Sequence, residues 1–289
     1  MLEQFSALPA FWLSLIAGLL GLLVGSFLNV VIFRYPKKLK YEWTVQSREW
    51  LEIPSPPDEV SPPGLVLPPS HCGHCGAEVK PWQNIPIISF LILKAKCGSC
   101  GAPISWRYPI VELLTGVLSA MLVYQFGWGL QSLFGLLFTW VLVALTFIDF
   151  DHKLLPDDIV LPTLWLGLVI NLWNVFSDTR SALIGAIVGY LIFWTVFQIF
   201  LRLTGKEGMG YGDFKLMSLL GAWLGWQFLP QIVLISTLVG SVFGIAIMVK
   251  QRADGDLAIP FGPYITFAGW LAMCWGDEIN TAYFKFMGL

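Results

Sequence analysis

The stretch G-L-Q-S-L-F-G-L-L-F-T-W-V-L-V-A-L-T-F-I, 129–148, followed at once by D-F-D-H-K-L-L-P-D-D, 149–158, decides what kind of fold this chain can adopt. A helix rises about 1.5 Å per residue, so an uncharged run of this length matches the roughly 30 Å of a bilayer's hydrocarbon core. The run ends on a carboxylate. An ionisable residue at such a place costs about 2.5–3.5 kcal/mol on insertion scales, which makes it a functional candidate by default.

Comparable apolar runs recur at about 9–33, 104–126, 159–176, 182–203, 214–227, 229–249 and 260–275, the run at 214–227 being the shortest. The expectation is an all-α polytopic membrane protein with about eight transmembrane helices. Composition agrees: the 289 residues are 56% hydrophobic and only 12% charged, with a mean hydropathy of +0.70. A soluble domain carries about twice that charge. A net charge of −2 without basic bias excludes nucleic acid as a natural partner. The first ten residues hold Glu3 and no Lys or Arg. A secretory signal needs a positive start, so the first run reads as a retained span.

Basic residues orient the spans. With the N-terminus outside, 15 of the 17 Lys and Arg fall in cytoplasmic segments, leaving Arg180 and Lys285 outside. The chain divides accordingly into a first span, 1–33, a cytoplasmic loop, 34–107, and a membrane bundle, 108–289. Small-residue pairs at Gly21/Gly25, Gly185/Gly189 and Gly240/Gly244 predict close helix approach. I-P-I-I-S-F-L-I-L, 85–93, is too short to span and is expected to lie at the interface or pack under the neighbouring cysteines.

Those cysteines form two C-x-x-C-G knuckles, H-C-G-H-C-G at 71–76 and K-C-G-S-C-G at 96–101. Four thiolates, Cys72, Cys75, Cys97 and Cys100, suit tetrahedral zinc. A closed four-Cys site is structural, and a reducing cytoplasm argues against disulfides. His71 and His74 are expected outside the shell, and Cys274 reads as a small buried hydrophobe.

A second acidic cluster, G-M-G-Y-G-D-F-K, 208–215, opens another span on the same side of the membrane as Asp149. Two carboxylates at similar depth on different helices are what aspartyl proteolysis requires: one, charged, activates a water, while the other, neutral, donates to the scissile carbonyl. Asp149 continues directly from the apolar run and is preferred to Asp151. Asp157 and Asp158 read as N-caps. Gly208, Gly210 and Gly212 are expected to allow close approach and positive φ.

G-Y-G-D, 210–213, resembles the G-x-G-D signature shared by presenilins and type IV prepilin peptidases. D-F-D-H-K-L-L-P-D, 149–157, is similar to the peptidases' partner motif. G-S-F-L-N-V-V-I-F-R, 25–34, and P-I-V-E-L-L-T-G, 109–116, resemble two further family stretches. The chain thus resembles the type IV prepilin peptidase/N-methyltransferase family over about residues 18–270. The resemblance implies Asp149 and Asp213 as the catalytic dyad and prepilins or pseudopilins as substrates. It further implies a multi-pass position in the bacterial inner membrane, with the N-terminus periplasmic and the active site facing the cytoplasm. Methylation of the new N-terminus with S-adenosylmethionine is implied by the resemblance alone. Asn29, Lys96, Arg107 and Glu112 are polar residues near the relevant interface. Rival readings are an ion-coupled transporter using the same acids and a non-catalytic secretion scaffold docking through the zinc loop.

Overall fold

The computed structural model describes residues 9–56, 59–206, 208–251 and 259–288. The first eight residues, on which the retained-span reading partly rests, and Arg252 lie outside that set, as do two positions of the proline-rich 54–69 linker. The described residues are helical, with two isolated β-bridges and no strand. In chain order the helices are α1 (Ala10–Trp50), α2 (Ile88–Ile92), α3 (Arg107–Phe126), α4 (Leu130–His152) and α5 (Asp157–Ile170). There follow α6 (Thr179–Thr204), α7 (Tyr211–Leu224), α8 (Leu229–Gln251) and α9 (Gly262–Met287). They form two compact units, Met1–Trp128 and Gly129–Leu289.

In the first unit α1 packs along α3. A Cβ on Gly25 would lie 2.7 Å from the Glu112 Cα, and one on Gly21 would lie 2.8 Å from the Thr115 carbonyl oxygen. The Gly21/Gly25 pair therefore does what its spacing promised. The chain does not leave the helix at Arg34, where the apolar run stops. It continues to Trp50, because nothing in 34–50 breaks it beyond Pro36, and a Lys38–Glu42 pair at 3.5 Å supports the extension. Arg34 is buried and donates to the carbonyls of Gly64, Pro68 and Pro69 at 2.8, 2.8 and 3.3 Å, tying the returning loop to α1.

In the second unit α7 is the hub. Every residue from Leu216 to Leu224 is buried, against α6, α5, α9 and α8. The approach of α6 to α7 depends on glycine at both faces: a Cβ on Gly185 or on Gly221 would strike the other's carbonyl, and one on Gly189 would lie 2.6 Å from the Met217 oxygen. Gly240 and Gly244 do not repeat this. They face side chains of Phe261, Tyr264 and Ile259 at 3.0–3.4 Å rather than a helix backbone, so the third pair is no packing motif.

Among the described residues, five helical segments are long and apolar enough to cross a membrane: α1, α3, α4, α6, and α8 with its preceding turn, Trp226–Lys250. The chain is thus a membrane protein. All eight apolar runs form helices, and five of them meet this measure. Helices α5 and α7 have 14 residues each, or about 21 Å. Helix α9 departs from helical geometry at Trp275 and carries Asp277 and Glu278. Hydropathy marks where a helix is buried, and α7 is buried in protein more than in lipid.

Candidate active site and metal centre

Asp149 lies in the last turn of α4, which ends when Lys153 adopts a left-handed conformation, φ 53°, and donates to the Asp149 carbonyl at 2.8 Å. Its side chain is 5% exposed, and Oδ2 accepts the Gly262 N–H at 2.9 Å. Asp213 sits in the first turn of α7, 8% exposed. Its carboxyl interacts electrostatically with that of Asp149. The C-terminal end of α4 and the N-terminal ends of α7 and α9 therefore meet at one pole, with two acids between them.

The other acids of the cluster stay out. Asp151 is exposed, since two residues turn a helix by about 200°. Asp157 and Asp158 are not N-caps. Pro156 holds that position, and the two acids occupy the first turn of α5, where they still favour the positive end of the helix. Asp157 binds Lys215 with both oxygens at 2.7 Å. Among the three glycines before Asp213 none has positive φ; Gly210 is extended, with φ −80° and ψ 148°. Close approach is their use: a Cβ on Gly212 would lie 2.9 Å from that of Leu155, and one on Gly208 would lie 2.8 Å from the Phe200 ring. The G-x-G-D loop thus packs directly on the L-L-P segment that follows Asp149.

Sequence reasoning missed Gly262 and Thr266. The signal lay in P-F-G-P, 260–263, a glycine between prolines where a helix begins.

The two knuckles are near copies. Cys72 N–H donates to Ala77 and Gly76 N–H to Cys72; Cys97 N–H donates to Ala102 and Gly101 N–H to Cys97, all at 2.7–3.0 Å. Gly76 and Gly101 take φ of 72° and 71°, which only glycine adopts cheaply. The four Sγ atoms lie within 4.8 Å of one another, and Cys72 Sγ is 3.9 Å from Cys100 Sγ. A tetrahedron with 2.3 Å metal–sulfur arms has an edge of about 3.8 Å. The cluster therefore fits a metal ion. Backbone N–H groups of Cys100 and Ser99 lower the Cys97 thiol to about 6. The Ala102 N–H pulls Cys100 down too, but the thiols of Cys75, Cys97 and Cys72 together with desolvation outweigh it and leave Cys100 raised to about 11. Four thiols this close cannot all ionise without a cation.

Helix α2 lies beside the second knuckle: Phe90 is buried edge-on to Trp106 at 4.8 Å, and Ala95 N–H donates to the Phe90 carbonyl. Glu112 is buried and accepts the Ile87 N–H at 2.8 Å, while buried Asn29 donates to the Tyr108 carbonyl at 3.1 Å. Lys96 is exposed on its knuckle, and Arg107 is the half-buried first residue of α3. Cys274 is buried in α9.

Residues 19–126 match the Bacterial Peptidase A24 N-terminal domain, and residues 136–245 match the Type IV leader peptidase family. Relatives named prepilin leader peptidase/N-methyltransferase include one from Stutzerimonas stutzeri, 51% identical over 95% of both chains. Those from Pseudomonas aeruginosa and Legionella pneumophila are 51% and 45% identical, each over 93% of both chains. No solved structure gives a significant match.

Proposed function

The chain belongs to the type IV leader peptidase family, and from that premise we propose that it is a membrane aspartic endopeptidase with Asp149 and Asp213 as its catalytic pair. What supports the assignment is that two buried carboxyls, on α4 and α7, lie near enough to interact electrostatically, one of them held by a backbone N–H. The substrate is a prepilin or pseudopilin whose short basic leader lies at the cytoplasmic face. With one proton between the acids, the charged member takes a proton from the attacking water and the neutral member donates to the scissile carbonyl. The tetrahedral intermediate then collapses, and the departing amine is protonated within the same pair. The apolar helix that follows the leader enters sideways from the bilayer.

The N-methyltransferase activity named for the relatives extends to this chain. The methyl group of S-adenosylmethionine would pass to the freed α-amine, which loses a proton. Cys72, Cys75, Cys97 and Cys100 would hold zinc in a closed shell with no open position for chemistry. The chain would sit in the bacterial inner membrane with the N-terminus periplasmic and the acids cytoplasmic. In this arrangement 1–33 crosses first, 34–107 carries the metal, and 108–289 carries the protease. Acids gathered at helix ends rather than mid-helix give little support to an ion pathway.

Asp149→Asn and Asp213→Asn should each abolish leader cleavage while the protein still inserts at normal abundance. Processing at the wild-type rate by either variant, read as a mobility shift of the pilin, would refute the assignment.

A further inference from the structure

Behind the acids, α4 and α9 are joined by a seam of three polar contacts. Trp270 Nε1 donates to Thr139 Oγ1 at 3.1 Å, and the hydroxyls of Thr146 and Thr266 are 2.7 Å apart. The Gly262 N–H on Asp149 completes the series at 2.9 Å. Along α4 the partners step from 139 to 146 to 149, and along α9 from 270 to 266 to 262. These are helical spacings on single faces of antiparallel neighbours. The last contact admits one residue type only. A Cβ on Gly262 would lie 2.6 Å from Asp149 Oδ2 and 3.1 Å from its Cγ. Gly262 also opens α9, where N–H groups lack helical acceptors and a carboxylate is favoured. Pro263, next in line, has no N–H to offer.

From this we infer that Gly262 is a positioning residue for the aspartyl pair: its N–H fixes the Asp149 carboxylate, and the α4–α9 seam sets the register that brings the two together. The inference rests on the peptidase reading above. With Oδ2 tied to the backbone, the carboxylate cannot turn about its side-chain bonds without losing that contact. Oδ1 is thereby left as the oxygen available to the attacking water. The contact holds a catalytic carboxylate and not the substrate, so disturbing it should slow the chemical step and leave binding largely intact.

The test uses the full chain in lipid nanodiscs and a peptide with a basic leader, a glycine at the junction and an apolar helix beyond it. Gly262→Ala should lower kcat about 100-fold with KM within about threefold of wild type, since a misplacement near 1 Å costs that much. Thr266→Val, which leaves the α9 N-terminus unobstructed, should lower kcat about tenfold at unchanged KM. Gly244→Ala, whose Cβ meets only Ile259 at 3.4 Å, should match wild type. A kcat for Gly262→Ala within about twofold of wild type, or a KM rising in step with the fall in kcat, overturns the inference. If Gly262→Ala does not fold, Thr266→Val decides alone by the same two readings. Cleavage by Asp149→Asn would instead remove the peptidase reading. An inactive Asp149→Asn beside a fully active Gly262→Ala removes only the positioning role.

Discussion

Asn171 commits all four of its side-chain hydrogen-bonding positions to backbone. Its amide donates to the carbonyls of Ala222 and Trp223 at 2.9 and 2.8 Å, and its oxygen accepts from Phe176 and Ser177 at 3.0 and 3.1 Å. The last carbonyls of α7 have no helical partners, so this fully buried side chain caps that helix and anchors the turn before α6. Asn171→Leu should cost about 3 kcal/mol, because several buried backbone groups would be left unpaired. Thermal unfolding in detergent reads the loss, and an unchanged midpoint would contradict the account. The Asp157–Lys215 pair makes a contrast. Both side chains are partly exposed, at 51% and 29%, so Asp157→Asn should change stability by less than about 1 kcal/mol despite two short contacts. Legibility at this scale depended on charge. Asp149 announced itself by ending an apolar run, whereas Asn171 and Gly262 act through backbone groups that no residue spacing reports.

The helix pair α6 and α7 and the two knuckles show what can be read at the scale of an element. Gly185 and Gly189 were recognisable as a packing pair, but their partner Gly221 was not, because an apolar run such as 214–227 does not say which other run it packs against. Gly221→Ala should force α6 and α7 apart and cost about 1–3 kcal/mol, as overpacking does. Since α7 carries Asp213, cleavage should fall with it. Wild-type activity and unfolding midpoint in that variant would show that the helices have room after all. The knuckles were legible almost completely, because C-x-x-C-G fixes both ligand geometry and the left-handed turn that follows. Cys75→Ser or Cys97→Ser should leave less than about one metal ion per chain and lower the unfolding temperature, since a structural site contributes folding energy. Metal analysis of the purified protein checks this. Full stability without metal would mean that the thiols are held by packing alone.

For the whole molecule, composition and periodicity located the eight long helices of the described residues, of which five are long and apolar enough to cross by themselves. The difference lies in α5 and α7. A 14-residue helix covers about 21 Å of a roughly 30 Å core, yet irregular or short elements are tolerated at membrane depth where protein rather than lipid surrounds them. The near-complete burial of α7 meets that condition. If its C-terminal end reaches the far interface, Asp213, the third residue of α7, lies recessed by about 12 Å from the near one, where a substrate helix would meet it sideways. The positive-inside reading then fixes the loops. A reporter phosphatase that folds only outside the cytoplasm, inserted into the full chain, should be active after Trp128, after Phe176 and after Gln227. It should be silent after Lys153 and after Lys206. The inverse pattern would reverse the orientation and put the acids on the periplasmic side, away from prepilin leaders. Silence after both Lys153 and Phe176 would instead mean that α5 turns back within the bilayer. That result would part Asp149 from Asp213 in membrane depth and break the pairing on which cleavage depends.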